Sequence, residues 1–359
     1  MSKFIRVASA ALLLIAAGAS NAHAETQRPT LAVVMTNDPG ANQIKVYDAK
    51  TRGLLQTLST NGKGGAAVNA RGVKQYNGDL VAVVNNGSST VAVFRRDGDR
   101  LKFDRLVSTT SRPVSVDFGN GHMYVAGVAS VDSFVIHDGR VEWLDGTTAL
   151  RLAGGATPID GSTSQVGVID DRQLLVTLKA DPDPGTVDVV ALKDGRITGA
   201  LPEAVPAPAG SLAPFGFAVY PDGSALVTLA HSSQNGVFRD GAFATVADAS
   251  QIANCWMTRV GKYVFTANTA SRTLSRVVGT GSHAFVDSPI AASVPTGNPL
   301  DLDATDGFLA VIDHGAGQSH LSFFTYDAFG ELTASGSVVN IGVPDANGVA
   351  LMPSTRDKD

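Results

Sequence analysis

The feature that most constrains this chain is a repeat. Seven short, β-branched apolar runs recur along it: LAVVM, VAVVN, MYVAGV, LLVTL, ALVTLA, YVFTAN and FLAVID. The residues that close these segments are Asn37, Asn85, Gly127, Lys179, His231, Asn268 and Asp313, at intervals of 37 to 52 residues that average 46. A period of about 40–50 residues with several short strands in each unit is the signature of a β-propeller, because one such unit cannot bury its own apolar faces and must stack on its neighbours.

Each unit contains the parts of a blade. An inner strand such as RGVKQY or GFAVYP leads through a turn (YNGD, FGNG, YPDG) into the apolar run. A polar loop, a third strand such as TVAVFRR, TVDVVAL or LSFFTYD, and a turn such as RDGD or KDG follow, then an outer strand. The NG and DG turns supply the positive backbone angles that tight hairpins need. The hairpin VAVVNNGSSTVAVF is written again as VFTANTASRTLSRV, with Asn85, Ser88 and Thr90 falling on Asn268, Ser271 and Thr273 without a gap. The two are therefore expected to be equivalent parts of blades two and six.

The first unit lacks an inner strand, and the chain ends with a spare candidate, ANGVALMP. An all-β, seven-bladed propeller is thus expected, its ring closed by a C-terminal strand that completes the first blade. Closure leaves no long sheet edge exposed. LPEAVPAPAGSLAP is read as an inter-blade connection. The domain is expected over residues 25–353, with a disordered charged tail at 354–359.

Residues 1–24 read as a signal peptide. Lys3 and Arg6 precede an apolar stretch too short to span a bilayer, and AHA at residues 22–24 has the small-x-small pattern of a cleavage site. A periplasmic or secreted protein follows, with no membrane insertion after cleavage. Removing Lys3 and Arg6 takes the formal charge from −5 to −7, and no basic block occurs, which argues against a nucleic-acid partner. Cys255 is the only cysteine, so no intramolecular disulfide forms and stability must come from a core.

The segments LVAVVNNGSSTVAVFRRDGD, GFAVYPDGSALVTL and NCWMTRVGKYVFTANTASRTLSRV resemble the lactonase-type seven-bladed propellers, the group of 6-phosphogluconolactonase and carboxymuconate-lactonizing enzymes, and the YVTN-type propeller repeats. The resemblance implies ring-opening or ring-closing chemistry on lactones of sugar acids or aromatic-degradation acids, at a channel mouth that uses histidine and arginine at the starts of inner strands with an acidic partner. This chain departs from that pattern. SRPVSV in blade three retains Arg112, but APFGFAV in blade five offers only Phe215 and Gly216.

Propeller geometry gathers the starts of inner strands and the ends of second strands at one mouth of the central channel. The first set contributes Arg71, Arg112, Gln165, Phe215, Asn254, Trp256, Asn298 and Asn347; the second contributes Asn37, Asn85, Lys179, His231, Asn268, Asp313 and His314. His231, His314 and Arg112 are the candidate catalytic residues, the histidines because their ordinary pKa suits a general base. Arg71, Asn85, Lys179, Asn268, Trp256 and Phe215 are the candidate substrate-binding residues, with the arginines able to hold a carboxylate in bidentate fashion. The other mature-chain histidines, His122, His137, His283 and His320, are placed on outer or opposite-face turns.

No cofactor or metal is implied. The weaker idea is a Ca²⁺ ion among Asn37, Asn85, Asn268 and Asp313, although a single acid gives such a ring little charge. Two readings follow. The first is a lactonase-like hydrolase or lyase acting on a small carboxylate-bearing cyclic ester at the channel mouth. The second is a non-catalytic propeller that binds a small molecule, a glycan or a protein. A monomer is expected in either case. The readings separate on whether Arg71, Arg112, His231 and His314 share a pocket or point apart around a plug of Phe215 and Trp256.

Overall fold

The second strands explain why the repeat is legible. Leu31–Met35, Leu80–Asn85 and Ala225–Leu229 are buried at every position. Each lies inside its own sheet and between two neighbouring sheets, so both of its faces are covered. Such strands read as continuous apolar runs and not as alternating ones. The outer strand Ala242–Asp248, with one face in solvent, alternates instead.

The computed structural model describes residues 28–355 except 68 and 181–183. The expected signal peptide and most of the charged tail lie outside the described residues. The strands form seven antiparallel sheets. Their inner strands are Val349–Met352, Val73–Tyr76, Pro113–Gly119, Thr163–Val168, Pro214–Val219, Asn254–Val260 and Asn298–Thr305, for blades 1 to 7 in that order. Each packs on the next around the ring. Blade 1 is closed as the sequence implies: the C-terminal strand pairs with Leu31–Met35 in the register Leu31↔Met352 to Val34↔Val349.

The repeated hairpin is repeated in detail. Asn85 pairs with Thr90, and Asn268 with Thr273. Each asparagine Nδ2 donates to the threonine Oγ1 it faces, at 3.3 and 3.1 Å. Ser88 Oγ and Ser271 Oγ each accept a backbone N–H from the inter-blade connection beside them, from Lys63 and Ile252 respectively. The small polar residues of the repeat therefore tie each blade to the connection that enters it. LPEAVPAPAGSLAP is partly different from its reading as a plain connection: Glu203–Pro206 forms an outer strand of blade 4, paired with Thr186–Val189.

Inner strands pose a physical problem, because one edge of each faces the channel without a sheet partner, and buried N–H and C=O groups need partners. Side chains of the neighbouring blade supply them. Ser115 Oγ and Asp117 Oδ2 accept from Val166 N and Val168 N; Gln165 accepts from Phe217 N and donates to Phe217 O. Asp301 Oδ2 and Asp303 Oδ2 accept from Val349 N and Leu351 N. Polar residues alternate along the inner strands for this reason, and the same alternation leaves charged groups inside the channel.

Candidate functional site

The mouth expected to hold the site is occupied by the chain itself. The segment Asn69–Arg71, which enters blade 2, bonds to five other blades. Asn69 Nδ2 donates to Val114 O, its carbonyl accepts the Trp256 indole N–H at 2.7 Å, and its Oδ1 accepts from Asn347 Nδ2. Ala70 N donates to Ser164 O at 3.0 Å, and Arg71 N to Asp301 Oδ2 at 3.2 Å. Three consecutive residues reach blades 1, 3, 4, 6 and 7 only by lying across the axis. Phe215 and Trp256 complete the plug, both buried, with ring centroids 4.9 Å apart in an edge-to-face contact.

The residues expected to work together are accordingly spread around this mouth. His231 lies exposed on the one-turn helix Ala230–Ser232 of blade 5. His314 faces the Ala346 carbonyl through Nε2 at 2.8 Å, on blade 7. Arg112 forms a 2.8 Å ion pair with Asp160 at the surface of blade 3. The Lys179 ammonium stands 4.8 Å above the Phe215 ring, and burial lowers its pKa to about 8. Burial pushes the Cys255 thiol up to about 11, which keeps it protonated and unreactive at neutral pH. The four groups that were to separate the two readings do not share a pocket: Arg71 turns to the other side of the plug.

The proposed Ca²⁺ ring is engaged elsewhere. Asn37 Oδ1 accepts from Gly65 N and Ala66 N, and Asn85 Oδ1 from Asn42 Nδ2 and Thr60 Oγ1. Asn268 Nδ2 donates to Ser275 Oγ as well as to Thr273, and the Asp313 carboxylate accepts from Thr296 and faces His320 Nδ1 at 3.2 Å. Asn268 and Asp313 thus brace their own blades, while Asn85 ties blade 2 to blade 1 and Asn37 ties blade 1 to the connection that follows it. His320 thus sits beside Asp313, within the third strand of blade 7, and not on an outer or opposite-face turn.

The open end of the channel is the other one, where the inner strands finish. A cavity of about 480 Å³ lies there, lined by Arg71, Lys74, Asp117, Gln165, Thr258, Arg259 and Asp303 among others. Its walls are almost entirely polar, because they are the channel-facing positions of the inner strands. Lys74 Nζ is 3.4 Å from Asp117 Oδ1, while among the described residues no carboxylate lies within ion-pair distance of the Arg71 or Arg259 guanidinium. Arg259 Nη1 donates to Gly261 O at 2.6 Å. Asp303 has one oxygen on Leu351 N at 2.8 Å and the other 3.5 Å from Thr258 Oγ1, a long contact that leaves it accepting capacity. Asp301, fully buried behind this wall, is raised to about 7 by burial, against the opposing pull of Arg71.

Of the residues singled out from sequence, only Arg71 and Gln165 line this cavity. Lys74, Asp117, Thr258, Arg259 and Asp303 were missed. The signal was present as a single charge in each of VKQ, VSVD and MTRV and as charge at alternate positions in LDLDAT. Channel-facing side chains repeat with period two, so ionisable residues within otherwise apolar inner strands mark the channel wall.

No protein-family model and no curated protein sequence matches the chain. Solved structures do. A putative 6-phosphogluconolactonase from Bacteroides uniformis is 14% identical, with a TM-score of 0.65, over 90% of this chain and 99% of that one. A putative 6-phosphogluconolactonase from Bacteroides fragilis is 15% identical, with a TM-score of 0.62, over 92% and 99%. A periplasmic gluconolactonase from Pseudomonas aeruginosa is 16% identical, with a TM-score of 0.64, over 91% and 99%. Identity at this level speaks to the fold and not to the chemistry. The chain thus has the fold of the 6-phosphogluconolactonase-type seven-bladed propellers along nearly its whole described length.

Proposed function

We propose that the protein is a lactonase-like hydrolase that takes a small carboxylate-bearing cyclic ester into the open end of its channel. The observation that carries this reading is the convergence of Arg71, Lys74 and Arg259 with Asp117, Gln165 and Asp303 in one cavity of a size suited to a small ligand. Arg71, at the blind end, takes the ligand carboxylate by a charge-assisted contact. Gln165 and Thr258 address hydroxyl groups. Asp303 accepts a proton from water as the water oxygen bonds to the ester carbonyl carbon. Arg259 stabilises the oxyanion that forms. The ring C–O bond then breaks, the leaving alkoxide takes the proton from Asp303, and a hydroxy acid departs. On this reading the chemistry lies across the plug from His231, His314 and Arg112.

A second reading has one observation in its favour: among the described residues no histidine lines this cavity. The same cations would then hold a carboxylate ligand without turnover. The test is pH-stat hydrolysis by the purified mature chain over a panel of sugar-acid and aromatic-acid lactones, with calorimetric titration of the matching hydroxy acids. Turnover abolished by Asp303→Asn and weakened by Arg71→Ala supports the hydrolase. Hydroxy-acid binding that depends on Arg71, with no turnover across the panel, supports the binding protein. Neither binding nor turnover overturns both.

A further inference from the structure

We propose that the plugged mouth carries a second, separate binding site, for a small organic ammonium ion. On the far side of Asn69–Arg71 from the polar cavity lies another of about 390 Å³, lined by Ala66, Trp256, Leu300, His314, Asp345 and Asn347 among others. Its character is the reverse of the first. Trp256, Leu300 and Ala66, with Pro39 beside them, give it mainly apolar walls.

The ionisable groups of this cavity ask for a donor. The His314 Nε2 faces the Ala346 carbonyl at 2.8 Å, so in the neutral ring Nε2 carries the hydrogen and Nδ1 presents a lone pair. Asn347 donates its Nδ2 to Asn69 Oδ1, which leaves its own Oδ1 buried with no hydrogen bond; the residue is 6% exposed. Asp345 brings an exposed carboxylate to the rim. Among the described residues no lysine or arginine contributes to the lining. An apolar cleft whose open valences are a carboxylate and an imidazole lone pair matches a hydrocarbon body with an ammonium head, which offers three donors and a positive charge. Among the described residues a carboxylate ligand meets no lysine or arginine there, and it meets the Asp345 carboxylate at the rim, so the two cavities sort ligands by charge.

The test uses the full mature chain with Trp143→Phe, which leaves Trp256 as the only tryptophan. Cyclohexylammonium, cyclohexanol and cyclohexanecarboxylate are titrated in turn, followed by Trp256 fluorescence and by calorimetry. The expected result is saturable binding of the ammonium at millimolar concentration or below, with both isosteres weaker by about tenfold or more. Asp345→Asn, an exposed change that leaves the fold intact, is expected to weaken the ammonium by about threefold to tenfold and to leave the alcohol unchanged. Equal binding of the three compounds, an ammonium affinity indifferent to Asp345→Asn, or no saturation up to about 50 mM would each overturn the proposal. The result is independent of the channel cavity, whose ligand is read separately through Arg71.

Discussion

The two ends of the channel are built from the same seven inner strands and differ in almost everything else. At the end where those strands begin, Asn69–Arg71 crosses the axis and buries its polar groups against five blades, with Phe215 and Trp256 packed around it. At the end where they finish, the channel widens into a polar cavity with Arg71, Lys74, Arg259, Asp117 and Asp303 on its wall. At one end the axis is blocked and the hydrogen bonds of the crossing segment are internal. The other is hollow, and two of its guanidinium groups have no carboxylate partner among the described residues. The difference teaches that a propeller mouth is not a site by virtue of its place in the fold. A single inter-blade connection that dips to the axis closes the channel at one end and leaves it open at the other.

The comparison is broken most severely by Asp303→Asn. If the open end is catalytic, turnover falls by about 10²–10⁴-fold while hydroxy-acid binding is retained, as single-turnover kinetics and calorimetry would show. An unchanged rate returns the chemistry to the plugged end. Next in size is Asn69→Ala, which removes the side-chain contacts to Val114 and Asn347. Two lost hydrogen bonds, with buried partners left behind, are expected to cost about 2–4 kcal/mol, read as a lower urea midpoint with an unchanged m-value. Asn69→Ala without loss of stability would mean that the plug does not pin the ring.

A third test compares pH response. Burial raises Asp188, on the third strand of blade 4, to about 7, and its Oδ1 has no hydrogen bond; Asp301, beside the plug, is raised to about the same value. For each, the folded state holds a proton that the unfolded chain has already released above about pH 4. Stability is therefore greatest on the acid side, falls as pH rises from about 4 to 7, and levels off beyond. Asp188→Asn should flatten that slope by an amount on the order of 3 kcal/mol across the window, measured by urea denaturation at several pH values. A slope that persists in full assigns it to other groups. The smallest effect is expected at Arg112→Ala. Its exposed ion pair with Asp160 is worth no more than about 1 kcal/mol, and turnover at the open end should not change. A large loss of turnover would make the plugged mouth part of the active site after all.

The blade count, the closing strand and the equivalence of the two hairpins were all legible in the sequence. Their signals are local: a buried second strand writes an apolar run, a tight turn writes NG or DG, and Asn85 and Asn268 stand in the same place relative to Thr90 and Thr273. The site was less legible. Only Arg71 and Gln165 among the candidates line the polar cavity, because strand order says which residues lie near a mouth but not which mouth is open. His231 is exposed on the one-turn helix of blade 5 and Arg112 is paired with Asp160, so the two meet different surroundings. Lys74, Thr258 and Asp303 looked like interior strand residues, and only a period-two reading of each inner strand would have set them in the channel.

What the sequence determined by itself is therefore the architecture: seven sheets around an axis, an apolar layer between each pair, and a ring that its own C-terminus closes. Those properties follow from periodicity and from the chemistry of turns, which act over a few residues. The tertiary structure alone decided where the channel is blocked. That depends on Asn69, Ala70 and Arg71 meeting Val114, Ser164, Trp256, Asp301 and Asn347, partners between 45 and 278 residues away. No local pattern encodes such a meeting, because it exists only once the ring has formed and every blade presents an unpaired edge to the same axis.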